Sequence, residues 1–393
     1  MSTEWEKYRE FNAVAAGLNH WQVLSALYFA HSGDSTAPMI SVIMCTHVDD
    51  FIWAATVEGE SKMQVVLSTF KIGRVEEGKF RFCGLEYVQH SDFSIEVNAR
   101  ENTRAIKPLS LPKAKAPEPV TNAQRTALRS VVGSLAWVAR AARPDPAYRV
   151  NALQTQICKA TVETLREANR VVELALKDGD RAILFKGGLL PWQAGELAVV
   201  TFSDASFAAE AGYKSQRGRI HYLTVANIAR EAEAMTHPAH FISYGSSTMK
   251  RVCRATLQCE AYSLQHATEH ADRIRAALLE LLGRLPRLRN WDDYARRSLF
   301  HLQLSDCRSL TDHLLSSIPR AVEDKRLAIE MAALRQSLWT DEEERTCIAD
   351  APHGDELRWV PTHLQLADAL TKSLKPLLLN QALETGSVIV REQ

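Results

Sequence analysis

Four carboxylates in the second half of this 393-residue sequence fall where apolar runs give way to polar residues. Asp204 follows the run AVVTF, and Asp306 follows HLQL. Glu260 opens a long stretch with Leu264, Ala267 and Ala271 at helical spacing, so a helix there turns it toward a core and not into water. Asp368 comes after WVPTHLQLA, close to the start of the last apolar-periodic segment. Carboxylates gathered at one mouth repel one another unless cations neutralise them. Hard oxygen ligands select magnesium or manganese. The chemistry such a cage serves is two-metal phosphodiester cleavage, with one ion activating water and the other steadying the leaving oxygen. Taken singly, each acid reads more simply as a solvated strand-end residue, a common pattern.

Three further groups draw attention. Asp49 and Asp50 stand side by side between two apolar runs in MISVIMCTHVDDFIWAATVEG, residues 39–59, which reads as strand–turn–strand. HATEH, from His266 to His270, matches the inverted zinc-protease signature H-x-x-E-H. No third ligand or dedicated base is marked for it, so it reads as the flank of a helix. His363 lies in the loop before Asp368; it reads as a surface histidine, or as one placed to assist proton transfer or product release.

The elements that must position these residues divide at Lys107–Pro119, where Pro, Lys and Ala leave no room for a regular element. Before it lie strand-like runs: Val42–Thr46, Phe51–Val57 and FRFCGLEYVQ. After it come helical patterns over Asn122–Arg140 and Val162–Lys177, with RPDPAYRVNALQTQI between them and GGLLPWQAGE as a second loop. RPDP reads as a rigid, charged connector. From LAVVTFSDASF onward the pattern changes to three hairpin-type strands, with RGRIHYLTVA and HFISYGSST as the second and third. A long helix over about 258–282 follows, then the strand LFHLQLSD and a short helix. The helix DKRLAIEMAALRQSLWTDE, the strand ELRWVPT and a final helix LADALTKSLKPLLLNQAL complete the order. This alternation predicts an α/β (α+β) fold with a mixed sheet flanked by helices.

Composition sets outer limits. The length implies two or three domains. The hydrophobic share of 46% is that of a globular protein, and no apolar run reaches membrane-spanning length. Seven cysteines without a C-x-x-C pair argue against a zinc ribbon or a disulfide framework. With a polar N-terminus, MSTEWEKYRE, this points to an intracellular protein, of cytoplasm or nucleus. Lys plus Arg (47) balances Asp plus Glu (47), and zero net charge counts mildly against a nucleic-acid binder. YKSQRGR and MKRVCR nevertheless concentrate positive charge locally.

FSDASFA, ATLQCEAYSL, LSDCRSL and WVPTHLQLADALTKSL resemble, in order, the motifs of the ribonuclease H domain of copia-type retrotransposon polyproteins. ISYGSSTMKRV is similar to the strand before the glutamate segment. GSLAWVARAARPDPAYRVN resembles the family's connection segment, and THVDDFIWA its reverse transcriptase motif, with FKIGRVEEGKFRFCGLEY just after it. The resemblance spans roughly Val42 to Leu374. It departs at Gln258, where the family has a glutamate, and at His47, where it has a tyrosine.

The resemblance implies a ribonuclease H-like five-stranded mixed sheet at 196–393, a helical connection at 111–195 and a partial reverse transcriptase palm at 1–110. It implies hydrolysis of the RNA strand of an RNA–DNA hybrid, leaving a 5′-phosphate and a 3′-hydroxyl. Asp204, Glu260, Asp306 and Asp368 would be both the catalytic residues and the ligands of two Mg2+ or Mn2+ ions. The partners implied are the hybrid and other parts of the polyprotein, with no membrane. Asp49 and Asp50 would be the remnant of a polymerase motif. With Met1–Val48 too short for fingers and a third aspartate, and Asp34 a turn-like acid, polymerase activity is expected to be absent. The rival expectation is an inactive remnant that binds nucleic acid or a protein partner.

Overall fold

A computed structural model describes residues 18–20, 26–33, 38–113, 115–192, 196–229, 236–284, 289, 291–316, 322–338 and 355–391. Asp34, the N-terminal segment MSTEWEKYRE and the last residues of the helix read over 324–342 lie outside the described residues. Strands β1 (Asn19–His20), β2 (Leu27–Ser32), β3 (Met39–His47) and β4 (Asp50–Ala55) form an antiparallel sheet in that order. Val42 and Met44 of β3 pack on Met63 and Val66 of helix α1 (Val57–Thr69). Ile40 and Ile43 face the other way. Val48 and Asp49 make the β3–β4 turn, and Asp50 begins β4 opposite His47.

A second antiparallel sheet runs β5 (Lys79–Phe82), β6 (Leu85–Gln89), β7 (Ile95–Asn98) and β8 (Ala182–Phe185). FRFCGLEYVQ is thus two strands and not one. Cys83 and Gly84 both have positive φ (50° and 80°), the geometry of a two-residue hairpin turn that matches strand twist. Helix α2 (Arg100–Ala105) follows, and 106–113 and 115–121 hold no helix, as the composition of Lys107–Pro119 predicts.

Three helices fill the interval before β8: α3 (Asn122–Ala142), α4 (Ala147–Gln156) and α5 (Val162–Lys177). Helix α3 starts on a reciprocal cap between Thr121 and Gln124, and its stripe Leu128, Val132, Leu135 and Val138 is buried. The charged corner RPDP is tied down by an internal ion pair. Arg143 is 1% exposed and donates to both Asp145 oxygens from one guanidinium edge, Nε and Nη2, at 2.8 and 2.7 Å.

The third sheet comprises β9 (Leu197–Glu210), β10 (Lys214–Val225), β11 (Thr236–Thr248), β12 (Phe300–Ser305), β13 (Glu356–Trp359) and β14 (Ser387–Ile389). Its order is β13-β12-β9-β10-β11-β14. β9, β10 and β11 form an antiparallel meander, β12 and β13 run parallel to β9, and β14 adds a sixth strand beside β11. β9 is apolar on both faces because both are covered. Ala198, Val200 and Phe202 pack in the cluster that includes α3–α5. Leu197 and Val199 pack under helix α6 (Thr256–Leu281), beside α7 (Trp291–Ser298). Helices α8 (Arg308–Leu315) and α9 (Lys325–Leu338) lie against the first half of α6.

The single final helix read from the sequence is broken. Leu366–Leu370 form a 3-10 turn, and only Leu377–Thr385 form helix α10. Pro376 explains the break: it disfavours the helical backbone at Lys375 and offers no N–H to continue the ladder.

Removing one partner of a buried ion pair leaves the other charge uncompensated. Asp145→Ala should therefore lower unfolding free energy by about 3–5 kcal/mol in denaturant titration. A loss below about 1 kcal/mol, the level of an exposed pair, would show that this corner is not a structural lock.

Candidate active site

Strand pairing places the acids. Parallel pairing of β12 with β9 ends at Leu304 opposite Phe202. Asp306 and Asp204 are each the second residue beyond that last pair, so they face a crevice where the two strands diverge. Such a crevice, at the carboxyl ends of strands where connections leave in opposite directions, is where open α/β sheets place ligands. Asp204 continues the phase of Ala198, Val200 and Phe202 and so points to the side of the 3-10 turn that carries Asp368. Gly218, its partner on β10, leaves room for that turn. A Cβ there would stand 2.8 Å from Leu370 Cβ and Thr371 Cγ2.

Ligand atoms of Asp204, Asp306 and Asp368 lie within 4.8 Å of one another. Among the described residues this is the group of three or more that could hold a metal. Glu260 lies outside that set but beside it. It is 5% exposed, its Oε2 has no hydrogen-bond partner, and it feels the charges of both Asp204 and Asp306. α6 brings it there from the opposite face of the sheet, held by Ser263, whose hydroxyl donates to the Asp204 carbonyl at 2.7 Å. Gln258 donates to the Tyr262 hydroxyl at 3.3 Å and accepts the Arg254 N–H at 2.8 Å, so it braces the start of α6.

Burial pushes the Asp204 carboxyl up to about 7; Lys372 opposes this, while Asp368 and Asp306 add to it. Burial, then Asp204 and Asp306, hold Glu260 well above the usual carboxylate range. Lys372 and Thr371 had no role in the sequence reading. The Lys372 ammonium bonds Asp368 Oδ1 and stands 3.6 Å from Asp204 Oδ2; Thr371 Oγ1 donates to the same Asp204 oxygen. Burial disfavours the ammonium, but Asp204, Asp368 and Asp306 outweigh it and keep the lysine charged. Their signal was the spacing, since Lys372 lies one helical turn after Asp368 within ADALTK.

The donor set fits a hard divalent cation: carboxylate oxygens only, one of them buried without a partner. The other sequence candidates fall elsewhere. Asp49 and Asp50 remain in the β3–β4 hairpin and belong to no three-acid group among the described residues. His363 is exposed in the turn Thr362–Leu364. His266 and His270 are 4.8 Å apart between ring centroids, but no third ligand joins them among the described residues.

Two tests follow from this geometry. Asp204 ordinarily titrates near 3.8, so between there and about 7 the folded chain keeps a proton that the unfolded chain has released. The metal-free protein should lose stability as pH rises through that window. Asp204→Asn should raise its melting temperature at pH 8 by several degrees, and no gain would refute the buried repulsion. Lys372→Gln removes the internal counter-ion. It should lower the metal-free melting temperature while tightening Mn2+ binding by on the order of tenfold, read by calorimetry. Unchanged Mn2+ affinity would show that the ammonium does not compete for the site.

No protein-family model and no curated protein matches the chain. Among solved structures it is similar to an N-terminal RNase H domain from Mycobacterium tuberculosis, fused to maltose-binding protein, at 13% identity over 48% of this chain and 96% of that one (TM-score 0.27). It is similar to LC11-RNase H1 in complex with an RNA/DNA hybrid, at 10% identity over 46% and 99% (TM-score 0.28). It is also similar to a foamy viral protease-reverse transcriptase in complex with an RNA/DNA hybrid, at 13% identity over 81% of this chain and 36% of that one (TM-score 0.40). The chain's own architecture is the mixed six-stranded sheet in the order β13-β12-β9-β10-β11-β14, flanked by helices.

Proposed function

We propose that this chain hydrolyses the RNA strand of RNA–DNA hybrids, as the ribonuclease H part of a copia-type retroelement reverse transcriptase. The observation that carries this reading is the convergence of Asp204, Asp306 and Asp368 in the β9–β12 crevice with the unpartnered Glu260 oxygen beside them. Asp204, Glu260, Asp306 and Asp368 would hold two Mg2+ or Mn2+ ions, which supply an activated water and charge neutralisation at the leaving oxygen. The chain's own part is positional. β9 fixes Asp204 rigidly, because its strand is hydrogen-bonded to β10 and packed on both faces. Trp359 Nε1 donates to the Asp306 carbonyl at 3.0 Å and steadies that end of β12. Thr371 orients the Asp204 carboxylate, and Lys372 supplies positive charge beside the phosphate position. Selectivity for RNA would rest on 2′-hydroxyl contacts and hybrid shape.

The same reading assigns 1–110 to a palm remnant, 111–195 to a connection and 196–393 to the nuclease. β8, at 182–185, joins the sheet of β5–β7, so the first two segments share one sheet. Asp49 and Asp50 are read as a polymerase-motif remnant without polymerase activity in this chain. The rival reading, nucleic-acid binding without cleavage, draws on Lys372, whose ammonium already neutralises the cluster.

The test is cleavage of a 5′-labelled RNA annealed to DNA, in Mg2+ and then Mn2+, with single-stranded RNA and duplex DNA as controls. Hybrid-specific cleavage that falls by about a hundredfold or more in Asp204→Asn is expected, since even residues behind a metal's ligands are worth 10–100-fold. A folded protein that binds the hybrid and leaves it intact in both metals would hand the case to the rival.

A further inference from the structure

Beside the acid crevice, on the α6 face of the same sheet, Arg217, Arg219 and Arg273 form no ion pair among the described residues, and Arg219 feels the charges of the other two. Arg217 and Arg219 flank Gly218 on β10 and so point away from Asp204, toward α6. They pair across β11 with Ser247 and Gly245. Gly245 matters here: a Cβ on it would lie 2.0 Å from Arg219 Nη1, so the guanidinium rests directly on the β11 backbone. Arg219 Nη1 meets His266 Nδ1 at 3.4 Å, and its Nε is buried with no partner. Arg217 Nε donates to Ser247 Oγ at 3.1 Å. His270 sits one turn along α6 from His266, and the exposed Arg273 follows on the same helix.

Several other partly or fully buried arginines hold acids, Arg143 with Asp145, Arg275 with Asp355 and Arg296 with Asp272, while buried Arg335 donates to the carbonyls of His313 and Ser316. Among the described residues Arg217, Arg219 and Arg273 make no such pair, although Glu269 acts on Arg217 from a distance. Burial, then the arginines, hold both histidines neutral, with His266 pushed down to about 3 and His270 to about 4. This field repels a zinc ion, which disposes of the H-x-x-E-H match. It attracts an anion, and arginine forks fit phosphate oxygens.

We infer that Arg217, Arg219 and Arg273, with His266 and Ser247, form a second contact surface for the sugar–phosphate backbone of a nucleic-acid duplex. The inference rests on the proposed nuclease reading for its choice of a nucleic acid over another anion. His266 to Arg273 lie six to thirteen residues along α6 from Glu260, or about 9–20 Å at ~1.5 Å per residue. Phosphates recur every ~3.4 Å along a strand, so the surface would engage the substrate roughly three to six nucleotides from the cleaved bond.

The experiment compares wild type with Arg217→Gln/Arg273→Gln, two side chains that are at least partly exposed, and leaves the more buried Arg219 in place. Fluorescence anisotropy of a labelled 24-base-pair hybrid in EDTA, across a salt series, reads binding without metal. Losing two phosphate contacts should reduce the slope of log K against log salt by about 2, at about 0.9 per contact. Arg217→Lys/Arg273→Lys should keep the wild-type slope. Arg273→Gln alone should give about half the change, and it serves if the double variant fails to fold. In Mg2+, the glutamine variant should raise KM on the 24-base-pair hybrid and leave kcat unchanged, with neither altered on an 8-base-pair hybrid. Cleavage with wild-type slope in the glutamine variants would overturn the surface and keep the nuclease. An arginine-dependent slope without cleavage by any form would keep the surface and overturn the nuclease.

Discussion

Mutual repulsion among Asp204, Asp306 and Asp368 is the constraint to which the rest of the C-terminal half answers. With ligand atoms within 4.8 Å, each charged pair opposes folding by roughly 3 kcal/mol at an effective dielectric of about 20. Against a net stability of about 5–15 kcal/mol for a typical protein, that is a large debit. The fold offsets it in three visible ways. β9 is anchored by apolar packing on both faces, so Asp204 cannot retreat. Lys372 lies between Asp204 and Asp368. Asp204 and Glu260 are driven toward their protonated forms. A crevice assembled against its own charge in this way has cation affinity built into its folding energetics.

Much of this was legible in the chain, because burial on both faces writes a strand as an uninterrupted apolar run. LAVVTF could be read as β9, though not that the strand runs on to Glu210 and buries Asp204 in its middle. Helix α5 was read with its observed ends, Val162 and Lys177, since Thr161 and a regular apolar stripe mark it locally. The failures share a cause as well. FRFCGLEYVQ contains no Asn-Gly or Asp-Gly, so nothing local announced the positive φ that Cys83 adopts. The last helix pattern ran through Pro376 because its apolar spacing persists on both sides of the break. Lys372 was quoted within its motif without a role; its spacing from Asp368 was legible, but its approach to Asp204, 168 residues earlier in the chain, was not. Local signals fix elements; the pairing of distant charges does not appear in them.

Helix α6 is the member that joins the parts. Its first turns present Glu260 to the crevice, and its flank carries His266, His270 and Arg273. Its last turns, at Ala277 and Leu281, receive Phe29, Ile40 and Ile43 from the first sheet, where His31 Nε2 also meets the Leu281 carbonyl at 2.7 Å. Beneath it a buried polar chain crosses the sheet. Arg275 holds Asp355, whose Oδ2 lies 3.8 Å from His301 Nδ1. His301 Nε2 and His221 Nδ1 then meet Thr201 Oγ1 at 2.7 and 2.8 Å. These contacts tie β12, β9 and β10 together, although His301 Nδ1, His221 Nε2 and Arg275 Nε are buried without a hydrogen-bond partner.

The zero net charge now reads differently. As a sum it argued against a nucleic-acid binder, but the fold separates the terms of the sum. Acids collect in the crevice on one face of β9 and β10, and unpaired arginines collect on the α6 face of β10. A duplex whose reacting phosphate must approach carboxylates needs metal there and cationic contact elsewhere, and a uniformly basic protein is not required to provide either. What matters is that the alternation of a single strand, Arg217–Gly218–Arg219, puts the positive residues on one face and room for the acid's turn on the other. Three consecutive residues thus hold the acids and the arginines on opposite faces, and composition, which adds them together, hides both.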